Sequence, residues 1–241
     1  MCKKRTYYTL KDKIVDKWNM YHASQNVFGN EGSAGVDDQS IEEFDNNYKM
    51  NMRELYRQFK EDRYEPSPVL RIYIPKGDGR ERPLGIPTVK DRIAQESVRR
   101  VIEPIFEKIF CDCSYGFRPG RSALDAIAKI EDYRDQGYKW VVDADIKGYF
   151  DNIDQELLVD FITQRINDGW VLGVIKSWLS AGVMTDGVVE PTPQGTPQGG
   201  VISPLLANIY LHQFDKEMVE RGYKIIRYAD DFVVLTKSRR K

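Results

Sequence analysis

The chain of 241 residues has no apolar run approaching the roughly 18 residues of a membrane span. Its N-terminus, MCKKRTYYTLKDK, lacks the apolar core of a secretory signal peptide. Three cysteines cannot all pair, and Cys111 and Cys113 have no second Cys or His cluster with which to complete a zinc site. The sequence also has no Gly/Ser-rich linker, repeat or low-complexity segment. We therefore expect a reduced, cytoplasmic protein with no membrane partner.

What is present indicates a folded protein with an uneven charge. Hydrophobic residues make up 41% of the chain and charged residues 30%, which is typical of one large or two small globular domains. The net charge is only -1, yet residues 71–100 contain eight basic and four acidic side chains. Residues 31–65 show the reverse, with ten acidic and five basic. A local basic stretch in a neutral chain is compatible with a polyanion-binding face, although charge runs are usually solvated surface.

Helix signals occur throughout the chain. Ser40 followed by Glu43, and Ser122 followed by Asp125, predict capping boxes. Asp91 is expected to cap the helix that follows it. Pro104 is expected to kink or end that helix. The longest predicted helices span residues 7–25, 40–62 and 203–221.

Strand signals are segregated from these helix signals. Apolar and β-branched residues predict strands at Leu70–Ile74, Trp140–Ile146, Lys224–Ala229 and Phe232–Thr236. Asp186–Gly187 predicts a hairpin turn. Segregated strands and helices favour an α+β fold with an antiparallel sheet.

Two acidic features stand out among the predicted strands. Asp230 and Asp231 lie between two apolar strands, where a tight turn would place both carboxylates at a hairpin tip, although a solvated turn is the common explanation for such a pair. Asp145 lies inside an apolar strand, where a lone carboxylate is costly to bury, and Asp143 points to the same face. Three clustered carboxylates suit Mg²⁺ or Mn²⁺, and two such ions roughly 4 Å apart assist in-line phosphoryl transfer.

The residues around these carboxylates resemble reverse transcriptases. The segments Tyr228–Asp231 (YADD) and Asp145–Ile153 (DIKGYFDNI) closely resemble the two acidic palm motifs of that family. Four further segments resemble the family's other motifs and occur in the family's order. The sequences of all these motifs most resemble those of proteins encoded by bacterial group II introns. The four further segments are the N-terminal extension Gly35–Phe44, the fingers motifs Ile74–Thr88 and Tyr115–Arg121, and the palm motif Gly195–Leu211.

The resemblance implies a right-hand polymerase with an antiparallel palm sheet packed on helices. It divides the chain into an N-terminal extension (1–65), fingers (66–139) and a palm (140–241) that includes a helical segment (154–181). By the same resemblance the thumb and the last palm strands are absent. We therefore expect a piece of a longer protein, with little processive synthesis and with Phe232–Thr236 as an open sheet edge.

The function implied by the resemblance is RNA-directed DNA polymerisation by a group II intron protein. Such an enzyme copies RNA into cDNA for intron mobility, uses two Mg²⁺ ions (Mn²⁺ being an alternative), and binds intron RNA as a maturase during splicing. Its expected partners are the intron RNA, an RNA template with a DNA primer, and dNTPs. The resemblance is also compatible with a homodimer.

The metal and phosphate ligands follow from the motif positions. Asp145 and Asp230 would bind both ions, and Asp231 would be more peripheral. Lys76 and Arg82 would bind the incoming triphosphate. The Lys ammonium is a compact positive charge, and the planar Arg guanidinium can donate two hydrogen bonds to one phosphate.

The remaining site residues also rest on the resemblance. Gln198 would line the nucleotide pocket, and Phe150 would occupy the position that excludes a 2′-hydroxyl, although a lone Phe after a strand is more often a core residue. Arg118 and Arg121 are candidates for contacts to template phosphates, and Phe117 could stack or merely pack.

Three alternatives stay open at this point. One is a non-catalytic RNA-binding maturase module, which degraded acidic motifs would favour, whereas all three carboxylates are intact here. Another is a metal-dependent nuclease, which would not need the predicted nucleotide pocket. The third is a reverse transcriptase of a retron, a diversity-generating element or a defence system.

Overall fold

The computed structural model describes residues 6–75, 81–196 and 199–239. The chain forms two compact units, each built from two separate stretches. The first contains described residues up to 105 and from 150 to 203, and the second contains 106–149 and 204–239. The predicted division into extension, fingers and palm stays a prediction. No helix in the described ranges has both the length and the apolar character needed to cross a membrane.

The secondary structure is mixed throughout. The helices are α1 (Lys11–Ile14), α2 (Lys17–Gly29), α3 (Ile41–Asn46), α4 (Tyr48–Lys60), α5 (Val89–Glu107), α6 (Ala123–Asp135), α7 (Gln155–Thr163), α8 (Gly169–Ser180) and α9 (Ser203–Glu220). The strands are β1 (Val69–Pro75), β2 (Glu81–Ile86), β3 (Trp140–Asp145), β4 (Val183–Thr185), β5 (Val188–Glu190), β6 (Lys224–Tyr228) and β7 (Asp231–Thr236). A 3₁₀ turn spans Tyr149–Asn152.

The first unit contains a mixed sheet in the order β2-β1-β4-β5. The β1–β2 and β4–β5 pairs are antiparallel, and β1 pairs with β4 in parallel. The hairpin predicted at Asp186–Gly187 is confirmed: both residues have positive φ, as a two-residue turn of this kind requires. In the core, the buried Tyr64 hydroxyl donates to Asp91 and accepts from the Trp178 indole.

The second unit contains an antiparallel sheet in the order β3-β7-β6, which confirms the predicted antiparallel palm sheet. Apolar side chains cover both faces of β6 and β7, because successive strand residues point to opposite faces. Ile226 and Leu235 pack with Tyr115 and Ala126 on one face, and Ile225 and Val234 pack near Phe214 and Met218 on the other. The prediction that the last strand is a sheet edge is wrong, since β7 is hydrogen-bonded on both sides.

Local capping explains where helices begin and break. The capping boxes predicted at Ser40 and Ser122 are confirmed. The helix predicted over 40–62 is two helices, α3 and α4, separated at Asn47, whose side-chain amide donates to the Glu43 carbonyl and so competes with the helical ladder. The helix predicted over 7–25 is likewise divided, because the Asp16 carboxylate caps α2 at the backbone of Trp18.

The prediction for the start of α5 is wrong, and the prediction for Pro104 is wrong in one of its two forms. Thr88 rather than Asp91 caps this helix, since the Asp91 N–H donates to the Thr88 hydroxyl at 3.1 Å. The helix also continues past Pro104 to Glu107, so Pro104 does not end it, and a kink at Pro104 stays a prediction. A proline removes one backbone hydrogen bond, and the burial of Ile102 and Phe106 on either side of Pro104 outweighs that loss.

Candidate active site

The acidic hairpin lies where β6 turns into β7. Tyr228 pairs with Asp231, so the two connecting residues are Ala229 and Asp230. Ala229 is buried and has φ +60°, a conformation that costs a non-glycine residue energy and therefore needs support from its surroundings. The predicted tight turn is confirmed, displaced by one residue, with Asp230 at its tip and Asp231 at the start of β7.

The third predicted carboxylate lies on the neighbouring strand. Asp145 ends β3 and is directly opposite Asp231 in the antiparallel register. Side chains in such positions are separated by roughly 4.5–5.5 Å between Cβ atoms, and like charges placed there repel. The sheet therefore brings together two carboxylates that are 86 positions apart in the sequence.

The local electrostatics reflect this concentration of negative charge. Partial loss of water raises the pKa of Asp231 above its usual value, and the charges of Asp230, Asp145 and Asp143 raise this pKa further. Asp143 lies two residues before Asp145 and shares its face of the sheet. Asp143 therefore contributes to the electrostatics of the acidic turn through its charge.

The donor set fits a hard divalent cation. Carboxylate oxygens are the ligands that Mg²⁺ and Mn²⁺ prefer, and a cation would neutralise the repulsion between Asp145 and Asp231. Within the described ranges, however, no three His, Cys, Asp or Glu side chains are gathered closely enough to hold an ion. The backbone thus places Asp145, Asp230 and Asp231 side by side, and their role as metal ligands stays a prediction.

Two of the predicted nucleotide-binding residues can be placed in the first unit. Arg82 is exposed on β2, opposite Ile74. Phe150 is half-buried in the 3₁₀ turn, and its carbonyl accepts a hydrogen bond from Thr196 at 2.8 Å. Lys76 and Gln198 lie outside the described residues.

Gly199, the residue after Gln198, allows its loop to approach the β1–β2 hairpin closely. Gly199 has φ +105°, and a Cβ atom there would lie 2.1 Å from the Gly85 carbonyl oxygen on β2. Any larger residue would push the loop away from the strand. A cavity of 340 Å³ lies in the same unit, lined by Arg71, Gly85, Asp151 and the 190–196 loop among others.

The two predicted template-binding arginines are both hydrogen-bonded within the second unit. The Arg118 side chain is 3% exposed, binds Glu107 through Nε and Nη2, and donates to the carbonyls of Cys111 and Ser114. The Arg121 side chain is 24% exposed and binds Asp112. These contacts give both side chains a structural role, and a template contact by the buried Arg118 would have to replace some of its bonds.

Sequence reasoning missed a buried arginine directly behind the acidic turn. Arg227 is 1% exposed and donates to the Ala229 carbonyl. The available signal was a charged residue inside the apolar strand Lys224–Tyr228, since buried charges in such positions need partners.

Comparisons with known proteins agree with this geometry. Residues 74–241 match the family described as reverse transcriptase (RNA-dependent DNA polymerase). The chain is 40% identical over 214 residues to the group II intron-encoded protein LtrA of Lactococcus lactis subsp. cremoris, covering 88% of this chain and 35% of LtrA. Protein YkfC of Escherichia coli (strain K12) is 41% identical over 162 residues, covering 66% of this chain and 42% of YkfC.

A solved structure shows the same fold. The partial Cas6-RT-Cas1–Cas2 complex matches with a TM-score of 0.60 and 28% identity, over 96% of this chain and 39% of that chain. The chain thus spans less than half the length of these relatives, 35% in the case of LtrA. It belongs to the reverse transcriptase (RNA-dependent DNA polymerase) family and is similar in sequence to group II intron-encoded proteins.

Proposed function

We propose that this chain is the fingers and palm part of a group II intron protein that copies RNA into cDNA for intron mobility and binds the intron RNA as a maturase. The observation that carries the proposal is the β3–β7 register, which sets Asp145 opposite Asp231 and beside the Asp230 turn. If Asp230 and Asp231 were only a solvated surface turn, no third carboxylate would be needed beside them on β3.

In the proposed site, Asp145 and Asp230 would hold two Mg²⁺ ions, and Asp231 would contribute less directly. When bound, the ions would neutralise the charge that develops during in-line attack on a nucleotide phosphate. The residues of the chain bind and orient the substrates. Arg82 offers a planar fork to the triphosphate, and Phe150 would exclude a ribose 2′-hydroxyl.

The maturase part of the proposal is supported by the names of relatives. LtrA is a group II intron-encoded protein, and the nuclear intron maturase 1, mitochondrial, of Arabidopsis thaliana is 33% identical over 93 residues, which is 39% of this chain. The proposed RNA partner is therefore an intron RNA rather than an arbitrary transcript.

The deciding experiment compares two neighbouring carboxylates in the full-length gene product. Asp145→Asn should reduce single-nucleotide extension of a DNA primer on an RNA template by at least roughly a thousandfold, because several kcal/mol of charge stabilisation are lost and each 1.4 kcal/mol is tenfold. Asp143→Asn is the matched control. It removes a carboxylate from the same strand face but leaves the proposed ligands, so extension should persist.

Two results would contradict the polymerase proposal. Equal activity of Asp145→Asn and the parent protein would remove Asp145 from the site. A parent protein that binds intron RNA tightly but extends no primer would instead favour the non-catalytic maturase module. Equal affinity for intron RNA and an unrelated RNA of the same length would favour a reverse transcriptase of another element.

A further inference from the structure

Arg227 uses every donor of its side chain inside the second unit. A guanidinium has five N–H donors, and five hydrogen bonds of 2.6–3.0 Å satisfy them here. Two go to the carboxylate of the fully buried Asp215, and the others go to Ser114, Asn208 and the Ala229 carbonyl.

The bond to Ala229 differs from the other four because it reaches the acidic turn itself. Arg227 Nη1 lies 2.7 Å from the carbonyl oxygen of Ala229, the residue that precedes Asp230. Ala229 holds φ +60°, which an alanine adopts only when its surroundings enforce it. The carbonyl contact fixes the peptide plane between Ala229 and Asp230, and that plane sets the direction in which Asp230 leaves the turn.

A second contact with the same turn comes from Gly116, which packs against the backbone of Ala229. A Cβ atom on Gly116 would lie 2.3 Å from the backbone nitrogen of Ala229, so only glycine fits beside the turn. Asn208 joins the two contacts, since its amide donates to the Gly116 carbonyl at 2.9 Å while its carbonyl accepts from Arg227 at 3.0 Å. The turn is therefore held on both sides of Ala229 by one connected, buried network.

We propose that Arg227 is a positioning residue for the polymerase reaction, which holds the Ala229–Asp230 turn so that Asp230 meets Asp145 at the metal site. The inference rests on the proposed function. Arg227 touches neither substrate nor ion, and acts through the Ala229 carbonyl. A buried ion pair with Asp215 that only stabilised the fold would need no bond to the turn.

The test compares two variants that weaken the same network at different points. Arg227→Lys keeps the charge beside Asp215, but a single ammonium cannot also reach the Ala229 carbonyl. Ser114→Ala is the matched control, because it removes one Arg227 partner at 2.7 Å and leaves the Ala229 bond intact. Thermal unfolding and circular dichroism establish that both variants are folded at the assay temperature.

Two readouts separate positioning from stability. Mn²⁺ affinity, measured by electron paramagnetic resonance without substrates, should fall roughly 10–100-fold in Arg227→Lys, as is usual when a residue that orients a ligand is lost. The kcat of primer extension should fall by about 10²-fold, the effect of a misplacement near 1 Å, with an unchanged KM for dNTP. Ser114→Ala should match the parent protein in both.

A third variant covers the case in which Arg227→Lys does not fold. Gly116→Ala displaces Ala229 from the other side, and should show the same loss of Mn²⁺ affinity with Arg227 intact. Equal Mn²⁺ affinity in the parent protein and the turn variants would overturn the positioning role. A parent protein that binds Mn²⁺ through this turn but does not polymerise refutes the proposed function and limits the role of Arg227 to positioning the metal site, and one that does neither refutes both.

Discussion

At the scale of single residues, the direct opposition of Asp145 and Asp231 predicts that the site is strained when no cation is bound. Asp145→Asn should raise the free energy of unfolding by about 0.2–1 kcal/mol in EDTA, because it removes one of two like charges on adjacent strands. Urea unfolding of the parent protein and the variant measures this difference. Asp143 lies opposite Val233, so Asp143→Asn should give a smaller gain. Destabilisation by Asp145→Asn would show that the carboxylate has a favourable partner.

The sequence predicted the three carboxylates but not what holds them. Asp145 is recognisable because it interrupts an apolar strand, and Asp230 and Asp231 because they lie between two apolar strands within a family motif. Arg227 carries the same local signal, yet its partners Ser114 and Asn208 are distant in sequence. Partners brought together by tertiary packing leave no periodic pattern that a single sequence can show.

Phe150 provides a test of sugar selection. In Phe150→Ala the ratio of rNTP to dNTP incorporation should rise, because a smaller side chain no longer clashes with a 2′-hydroxyl. Competitive single-nucleotide incorporation measures the ratio. The position is half-buried, so an unchanged ratio together with a lower unfolding temperature would identify Phe150 as a core residue instead.

Cys111 is expected to be unusually reactive toward alkylating reagents at low pH. Hydrogen bonding from Cys113 and the contact with His212, whose Nδ1 lies 3.9 Å from the sulfur, lower the pKa of Cys111 to about 5. A lowered pKa means that the thiolate predominates above pH 5, so the rate of iodoacetamide modification should be nearly flat between about pH 6 and 8. An ordinary thiol with a pKa near 8.5 should accelerate roughly tenfold per pH unit in that range. Mass spectrometry of the Cys111 peptide gives the rate.

At the scale of secondary-structure elements, the capping box of α6 should contribute measurably to stability. The Ser122 hydroxyl accepts from the Asp125 N–H at 3.2 Å, and the helix packs on β6. Ser122→Ala should lower the free energy of unfolding by about 1 kcal/mol. Ser177→Ala is the control, since this serine lies inside α8 and only bonds back to the Val174 carbonyl. Its replacement should be neutral, and equal losses would show that the cap is unimportant.

The elements that the sequence predicted best are those determined by neighbouring residues. The capping boxes and the Asp186–Gly187 turn depend on three or four residues and are confirmed. Strand order depends on pairing across long separations. The central position of β7 results from its pairing with β3, about 90 residues earlier, and the pattern of Phe232–Thr236 cannot indicate it.

At the scale of the whole molecule, the basic stretch over residues 71–100 provides fewer free charges than its composition suggests. Arg99 is bonded to Glu96 and Glu103, and buried Arg92 donates to the carbonyls of Glu31 and Ser33. Neither side chain is available to phosphate unless those bonds break. Counting charges in a sequence therefore overestimates the number of phosphate contacts, because a count cannot separate internal ion pairs from surface groups.

The salt dependence of RNA binding should follow the exposed charges alone. Each phosphate neutralised on single-stranded RNA contributes roughly 0.7 to the slope of log K against log salt. Arg82 is exposed on β2 and in the absence of dNTP can contact a phosphate of the RNA, so Arg82→Gln should then reduce the magnitude of that slope by about this amount. Arg99→Gln removes an equal charge from an internal ion pair, so it should lower the unfolding temperature and leave the slope unchanged. Fluorescence anisotropy with a labelled intron RNA at several salt concentrations measures both. Equal changes in slope would show that the total charge of the region, rather than its exposed members, attracts the RNA.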